Sequence, residues 1–465
     1  MEHENVKRRS TDLLSGPILL NLSKLAIPIM ATGFVQTAYS LTDMAWIGLV
    51  GSRATAAVGA AGMFTWLASG LVTIPKMGGQ IELAQSIGAG QEERARSFLR
   101  AALKLTVGLI LIFSLLAVIF TPQMIGFIGL NDAETIFMAE SYNRITCGLY
   151  IFQALNLTFT GIYTALGDSR TPFLANCVGL LGNMIFDPLL ILGVGPFPEL
   201  GVEGAAIATV GAQAVVTAIF IIKRKQSDYA ILRKIGLFCR VQRKFYIRIA
   251  KMGLPAALQD TFYSFVGMML TRMVSSFGDD IVAVQKVGAN IEQIAWMTGQ
   301  GFGAAVNAFI AQNFGAGRLD RVKDCYIAAV KLMLLWGIFA SGILYFGSGP
   351  LFRIFLHEEE LIPLGANYMR IIAYGELFVC IEIMTNGALS GLGHTGICSL
   401  ICMSLTGLRI PLGYLLSSSS LGVDGIWWTY TVTSTAKGVV YTIVMIIILK
   451  KLMKRYRPEA KTLEA

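Results

Sequence analysis

Three side chains near the start of the chain could together handle a proton. Gln36, Tyr39 and Asp43 fall at i, i+3 and i+7, which puts them on one face of a helix. Asn176, Asn183 and Asp187 fall at i, i+7 and i+11, again on one face. Asp43 lies 15 residues after Pro28, and Asp187 lies 15 after Pro172. If both stretches run in the same direction, the two carboxylates reach similar depth. Two acids in a medium of low dielectric cannot both keep their charge cheaply, which makes uptake of a proton workable near neutral pH. The structural alternative pairs both acids permanently, with Lys76 as one partner, or has Asp187 cap backbone groups freed by Pro188.

The stretches that position these residues are apolar. Of 465 residues, 54% are hydrophobic and 14% charged, against about 25% charged in soluble domains. A chain this apolar has too little polar surface for a water-facing exterior, so lipid is the expected solvent. An ionisable group in mid-membrane costs at least about 2.5 kcal/mol, so each one needs a partner or a task. Runs long enough to span a bilayer, about 20 residues, centre near Phe34, Trp66, Leu109, Phe152, Gly182 and Val210. They resume near Phe265, Trp296, Leu335, Phe378, Leu405 and Val440. The expected fold is all-α and polytopic, with about twelve transmembrane helices in two pseudo-symmetric six-helix bundles.

The net charge of +9 is arranged by loop rather than gathered on one face. Lys7, Arg8 and Arg9 precede the first run, Arg94, Arg96 and Arg100 follow the second, and the densest cluster runs from Lys223 to Lys251. The segment from Arg318 to Lys323 and the C-terminal Lys450, Lys451, Lys454, Arg455 and Arg457 are also basic. Alternate loops carry Asp132, Glu134, Glu199, Asp279, Asp280 and Glu358 to Glu360. This pattern places both termini in the cytoplasm of a multi-pass inner (plasma) membrane protein. It does not fit a nucleic-acid partner, which needs a basic folded face. Residues 1–16 are too polar and acidic for a signal peptide. The seven cysteines, most of them inside apolar runs, show neither a metal spacing nor a disulfide framework.

The chain also repeats itself. The block from Ala84 to Gly90, followed by Arg94, recurs from Ala311 to Gly317, followed by Arg321. Leu25-Ala26-Ile27-Pro28 matches Met252-Gly253-Leu254-Pro255 at the same offset of 227 residues (Pro28 to Pro255). Leu200 to Gly204 recurs as Leu421 to Gly425. The expected organisation is an N-terminal lobe over 1–222, a cytoplasmic basic linker over 223–246 and a C-terminal lobe over 247–465. Direct repeats of an even number of spans share one orientation and are related by an axis along the membrane normal, an architecture of transporters. The Ala-Gly pieces are not a phosphate loop, since no Gly-Lys-Ser/Thr follows, and no cofactor is expected.

Taken together, these motifs resemble the MATE (multidrug and toxic compound extrusion) family. The likeness rests on Pro28 with Asp43-Met44-Ala45-Trp46-Ile47-Gly48, and on the Gln-x-x-Gly-Ala-Gly blocks. Ala165 to Pro172 leading to Asn183 and Asp187-Pro188, and Gly201 to Ala206, extend it over nearly the whole chain. Within the family the sequence looks most similar to the prokaryotic branch named for DNA-damage-inducible protein F. The resemblance implies a monomeric secondary-active antiporter, of the kind that confers antibiotic resistance. It would couple efflux of small amphipathic, mostly cationic drugs to inward proton flow. It further implies coupling roles for Asp43 and Asp187, with Asn183, Thr209, Gln36 and Tyr39 matching other polar positions of a first-lobe site.

The second lobe departs from that pattern. Asp43 corresponds to Leu270, and Arg409 stands near the place of Asp187. The sodium-coupled branch keeps acids in its seventh and tenth helices. Here Asp260 sits in another register and Val379 falls near the tenth-helix position, with Glu376 and Glu382 close by. Proton coupling through the first lobe is therefore expected ahead of sodium. Met268, Met269, Met273, Trp296, Met297 and Phe302 read as a soft cavity wall, with Glu292 and Arg409 as polar contacts for substrate. Lys286, Glu292, Glu376, Glu382, Arg272, Arg409 and Lys437 fit intramembrane ion pairs equally well. A lipid-linked precursor flippase is a less favoured alternative, since such proteins have more spans and a strongly cationic cavity. An intramembrane enzyme is not expected: no His-Glu-x-x-His occurs, and the histidines are only His3, His357 and His394.

Overall fold

The computed structural model describes residues 11–461, apart from 228, 234, 237, 238, 356 and 357. Lys7, Arg8, Arg9 and His357 thus lie outside the described residues. The first half contains α1 (Ile18–Val50), α2 (Ser52–Gly88), α3 (Glu92–Ile119), α4 (Thr121–Ile128), α5 (Ala133–Gly148), α6 (Ile151–Ala165), α7 (Arg170–Ile191) and α8 (Gly201–Lys225). The short α9 (Ala230–Arg233) lies in the linker. The second half contains α10 (Arg243–Ser275), α11 (Asp279–Gly315), α12 (Leu319–Phe346), α13 (Ser348–Phe355), α14 (Ile362–Gly391), α15 (Thr395–Gly407), α16 (Arg409–Ser417) and α17 (Val423–Lys461).

All twelve expected centres fall inside helices. Among the described residues, nine spans are long and apolar enough to cross a bilayer, and α5 with α6, bent by 44°, makes a tenth. The remaining two, α10 and α11, have the length, 33 and 37 residues. They are more polar because they carry Asp260, Arg272, Lys286 and Glu292. Exposed Leu111, Leu115 and Leu335 give the α3 and α12 surfaces an apolar exterior suited to lipid.

The duplication is visible in element lengths. Helices α1 and α10 both have 33 residues, α2 and α11 both 37, α3 and α12 both 28, and α4 and α13 both 8. The repeated glycine blocks are helix stops. Gln91 N donates to Ser86 O at 3.0 Å, and Arg318 N donates to Asn313 O at 2.9 Å. This is the bond that closes a helix end through a left-handed residue. Gly90 at φ +68° and Gly317 at φ +71° supply that conformation, which a side chain would strain.

The chain forms two compact units. Among the described residues, one comprises 31–257; the other comprises Asp12–Met30 and the chain from Leu258 on. The division inside α1 comes two residues after Pro28, and that inside α10 two residues after Pro255. Packing explains both divisions. Leu13, Leu22, Leu25 and Ala26 are buried with Phe302, Phe309, Met333 and Met384. In the other unit, Ile249 is buried with Phe98, Ala101 and Ala102. There α10 crosses α2 at contact distance: a Cβ on Gly253 would lie 2.0 Å from Ile74 O, and one on Gly78 2.2 Å from Ile249 O. Only glycine lets two backbones approach this closely. Glu82, fully buried, is held there by Arg248 at 2.5 Å and Arg94 at 3.7 Å.

Candidate functional site

The unit of residues 31–257 contains a cavity of ≈ 530 Å³. Helix α1 lines it with Gln36, Tyr39 and Asp43, α7 with Asn176 and α8 with Thr209. The i, i+3, i+7 spacing therefore does turn three polar groups of α1 to one space. Tyr39 OH donates to Thr209 Oγ1 at 2.8 Å, which ties α1 to α8. Among the described residues, Asp43 is the only acid in the lining, and no Lys, Arg or His lines the cavity. Its Oδ1 is buried without a hydrogen-bond partner.

Asn183 and Asp187 do not line this cavity. They are fully buried in α7, one turn apart, with Asn183 Nδ2 donating to Asp187 Oδ1 at 2.9 Å. Asp187 Oδ2 and Asn183 Oδ1 have no hydrogen-bond partner. Asp187 lies near enough to Asp43 for their charges to interact, and Tyr142 of α5 lies near both. Asn176 turns its amide onto Pro172 O at 2.7 Å. Asp43 Oδ1 and Asp187 Oδ2 are thus both buried oxygens without a hydrogen-bond partner, and at such a place a neutral carboxyl avoids the cost of a desolvated charge.

Several lining residues escaped the sequence reading. Tyr142, Gln153, Asn156 and Gln213 come from α5, α6 and α8. Asn156 Nδ2 donates to Gln213 Oε1 at 2.7 Å, and Thr217 Oγ1 donates to Asn156 Oδ1 at 2.8 Å. The available signal was the presence of amides inside apolar spans, where polar groups are costly without a function.

The second unit gathers Glu292, Trp296 and Arg409 around a smaller cavity of ≈ 50 Å³, with Glu382, Lys437, Tyr263 and Tyr430. The methionine wall expected there is not part of its lining. Met273 is buried with Val266, Leu270, Val274 and Ile426, because Gly413 leaves room for its side chain, and Met297 is buried as well. Met269 is half-buried and Lys286 exposed. Lys437 pairs with Glu382 at 2.6 Å. Arg409 donates to Thr433 Oγ1 at 2.8 Å and Ser434 Oγ at 2.9 Å, and it sits over the rings of Tyr430 and Tyr263. Among the described residues no group of three His, Cys, Asp or Glu side chains could hold a metal ion.

The repeated motifs and the fold can be set beside known proteins. The chain is 26% identical over 413 residues to the probable multidrug resistance protein NorM of Thermotoga maritima, covering 87% of each chain. It is 27% identical over 437 residues to the FAD transporter of Shewanella oneidensis, covering 92% of this chain and 94% of that one. A solved outward-facing multidrug resistance MATE family transporter shares the fold, with a TM-score of 0.89 at 20% identity over 96% of this chain and 99% of that chain. The MatE family profile matches twice, at residues 28–189 and 255–415, starting each time on the proline of a crossing helix. This polytopic membrane protein, with its duplicated bundle, belongs to the MatE family.

Proposed function

We propose that the protein is a secondary-active multidrug exporter that couples efflux of amphipathic, mostly cationic compounds to inward proton flow. One observation carries the reading: a ≈ 530 Å³ cavity in which, among the described residues, Asp43 is the only acid and no basic side chain takes part. The volume falls in the range of small-molecule sites, about 300–1,000 Å³. Trp66, Tyr39, Tyr142 and Tyr150 offer aromatic surface there, while Gln36, Gln153, Asn156 and Gln213 offer adaptable hydrogen bonds. An ionised Asp43 favours a cation, and a protonated Asp43 does not. Substrate and proton therefore compete for one carboxylate, which is the thermodynamic requirement for exchange.

Coupling requires that the two forms of Asp43 favour different conformations. Helix α1 contains a weak point at Pro28, which lacks the N–H of a continuous helix. Protonation from outside removes the need to solvate the Asp43 charge, α1 bends, and the reshaped cavity releases substrate. Asp187 tunes the event through its proximity to Asp43, with Asn183, Tyr39, Gln36 and Thr209 completing the polar network. The protein works as a monomer in the plasma membrane with both termini cytoplasmic.

The test is efflux from proteoliposomes under separately imposed proton and sodium gradients. A fluorescent organic cation and, because one relative is named an FAD transporter, a flavin dinucleotide serve as substrates. Proton-driven efflux of the cation is expected. Efflux driven by sodium alone, or of the dinucleotide alone, overturns the reading.

A further inference from the structure

One end of the first unit carries a dense positive charge. The chain between α8 and α10 is laid down on that end rather than left as a free tether. Tyr229 OH donates to Leu166 O at 3.0 Å, at the close of α6. From α3, Arg100 donates to Ile235 O, and Lys104 Nζ donates to Cys239 O at 2.8 Å. Leu232 and Ile235 are buried. Phe245, in the first turn of α10, meets the Phe98 ring edge-on with centroids 4.9 Å apart. With these apolar side chains turned inward, Arg233, Arg240, Arg243 and Lys244 are left exposed. Lys223 and Lys225, in the last turn of α8, are exposed beside them.

Among the described residues, the acids at this end of the unit are already committed. Glu82 is held by Arg248 and Arg94, and Glu92 and Glu93 by Arg96 at 2.6 and 2.8 Å. Asp168 accepts from the backbone and hydroxyl of Thr171. None of the six exposed cations forms an ion pair among the described residues. Depth identifies what they meet instead. Ile221 and Ile222 of α8 and Ile247 of α10 are exposed, which in a polytopic membrane protein turns them to hydrocarbon. Lys223 and Lys225 follow the α8 isoleucines, and Arg243 and Lys244 come one turn before Ile247. At 1.5 Å per residue these cations stand about 2–6 Å beyond the exposed isoleucines. The headgroup layer beside the hydrocarbon core is about 5–8 Å thick.

We propose that this face binds anionic phospholipid headgroups, with the docked linker presenting its basic side chains to the lipid phosphates. Guanidinium groups can hold a phosphate through two parallel hydrogen bonds, and Arg233, Arg240 and Arg243 supply three of them. Each basic side chain near an anionic leaflet strengthens attachment roughly fivefold. The attraction fades beyond a Debye length of about 8 Å at physiological salt, so cations at headgroup depth share in it. A zwitterionic headgroup has no net charge, and charge complementarity therefore selects acidic lipid. Membrane orientation alone asks for positive charge in this loop; it does not ask for the linker to be fastened to α3 and α6. Lipid held there ties the end of α8 to the start of α10. Such binding follows from membrane residence and needs neither the proton nor the drug, so its absence would leave the efflux reading standing.

The full-length protein in neutral detergent is titrated with phosphatidylglycerol or phosphatidylcholine, and bound lipid is counted by native mass spectrometry. Phosphatidylglycerol is expected to bind more tightly, and to be released as salt is raised. Arg240→Gln combined with Arg243→Gln and Lys244→Gln should weaken phosphatidylglycerol binding roughly tenfold or more and leave phosphatidylcholine unchanged. Arg53→Gln with Arg144→Gln and Arg353→Gln changes the net charge equally, but removes exposed cations that already face acids. That control should bind phosphatidylglycerol as the wild type does. Equal loss in the two triple variants overturns the proposal. If the linker variant does not fold, the wild type still decides, since equal affinity for the two lipids or binding indifferent to salt overturns it as well. So does displacement of the lipid by inorganic phosphate at matched ionic strength, which would assign the face to a free anion.

Discussion

The Asn183 side-chain amide donates to Asp187 Oδ1 at 2.9 Å within a single turn of α7, and both residues are fully buried. The bond is the only donor contact that the Asp187 carboxylate makes among the described residues. A hydrogen bond to a charged group contributes about 2 kcal/mol. Asn183→Leu is therefore expected to slow proton-driven efflux by roughly tenfold or more, with a moved pH midpoint and an unchanged helical content. Asp187→Asn should mainly move the midpoint. Initial efflux rates across a pH series measure both, and wild-type profiles in both variants would remove Asp187 from the coupling site.

Asp43→Asn mimics the protonated carboxyl in the first-unit cavity. It should abolish proton-driven efflux while the protein stays folded and monodisperse. In the wild type, cation binding should strengthen as pH rises and Asp43 ionises, then level off once ionisation is complete. In the variant, binding should be weaker and flat with pH. Fluorescence titration with an organic cation reads the difference. Full proton-coupled efflux by the variant would shift attention to Glu292 and Arg409.

The crossing of α10 over α2 gives a prediction about stability. Gly253 and Gly267 both lie in α10, but a Cβ on Gly253 meets Ile74 O at 2.0 Å while one on Gly267 meets nothing within 4 Å. Overpacking costs about 1–3 kcal/mol, whereas replacing an unhindered helical glycine with alanine gains up to about 1 kcal/mol. Gly253→Ala should lower the thermal midpoint in detergent and Gly267→Ala should raise or preserve it. Equal midpoints for the two would contradict the close approach of the helices.

Orientation is checked with a native probe. Cys239, in the basic linker, is the one exposed cysteine among the described residues. A membrane-impermeant maleimide should label it in inverted vesicles and not in intact cells. Glu359→Cys, introduced with Cys239→Ser, should show the reverse. Labelling of Cys239 from outside would rule out cytoplasmic placement of the linker.

Much of the fold was legible in the residues alone. The apolar runs placed all twelve span centres inside helices, and the matched blocks at an offset of 227 residues (Gly90 to Gly317) located the equivalent helix stops. Helical periodicity also set the faces of Gln36, Tyr39 and Asp43, because a residue's direction on a helix follows from its spacing. Less of the site was legible. Tyr142, Asn156 and Gln213 have no spacing that links them to Asp43; they meet it only because α5, α6 and α8 close around one space. Met273 and Met297 carried the right chemistry for a cavity wall, yet they are buried in packing.

The sequence by itself therefore determined the helices, their duplication and the polar faces, since each depends on residues within a few turns of one another. The tertiary structure decided which faces meet. It joined Lys437 to Glu382 across 55 residues of chain and left Glu376 Oε2 buried with no hydrogen-bond partner among the described residues. The physical reason is range. A helix forms from local hydrogen bonds and hydrophobic spacing, whereas burial and charge pairing depend on contacts between distant segments whose fit is set by packing at glycines such as Gly78 and Gly253.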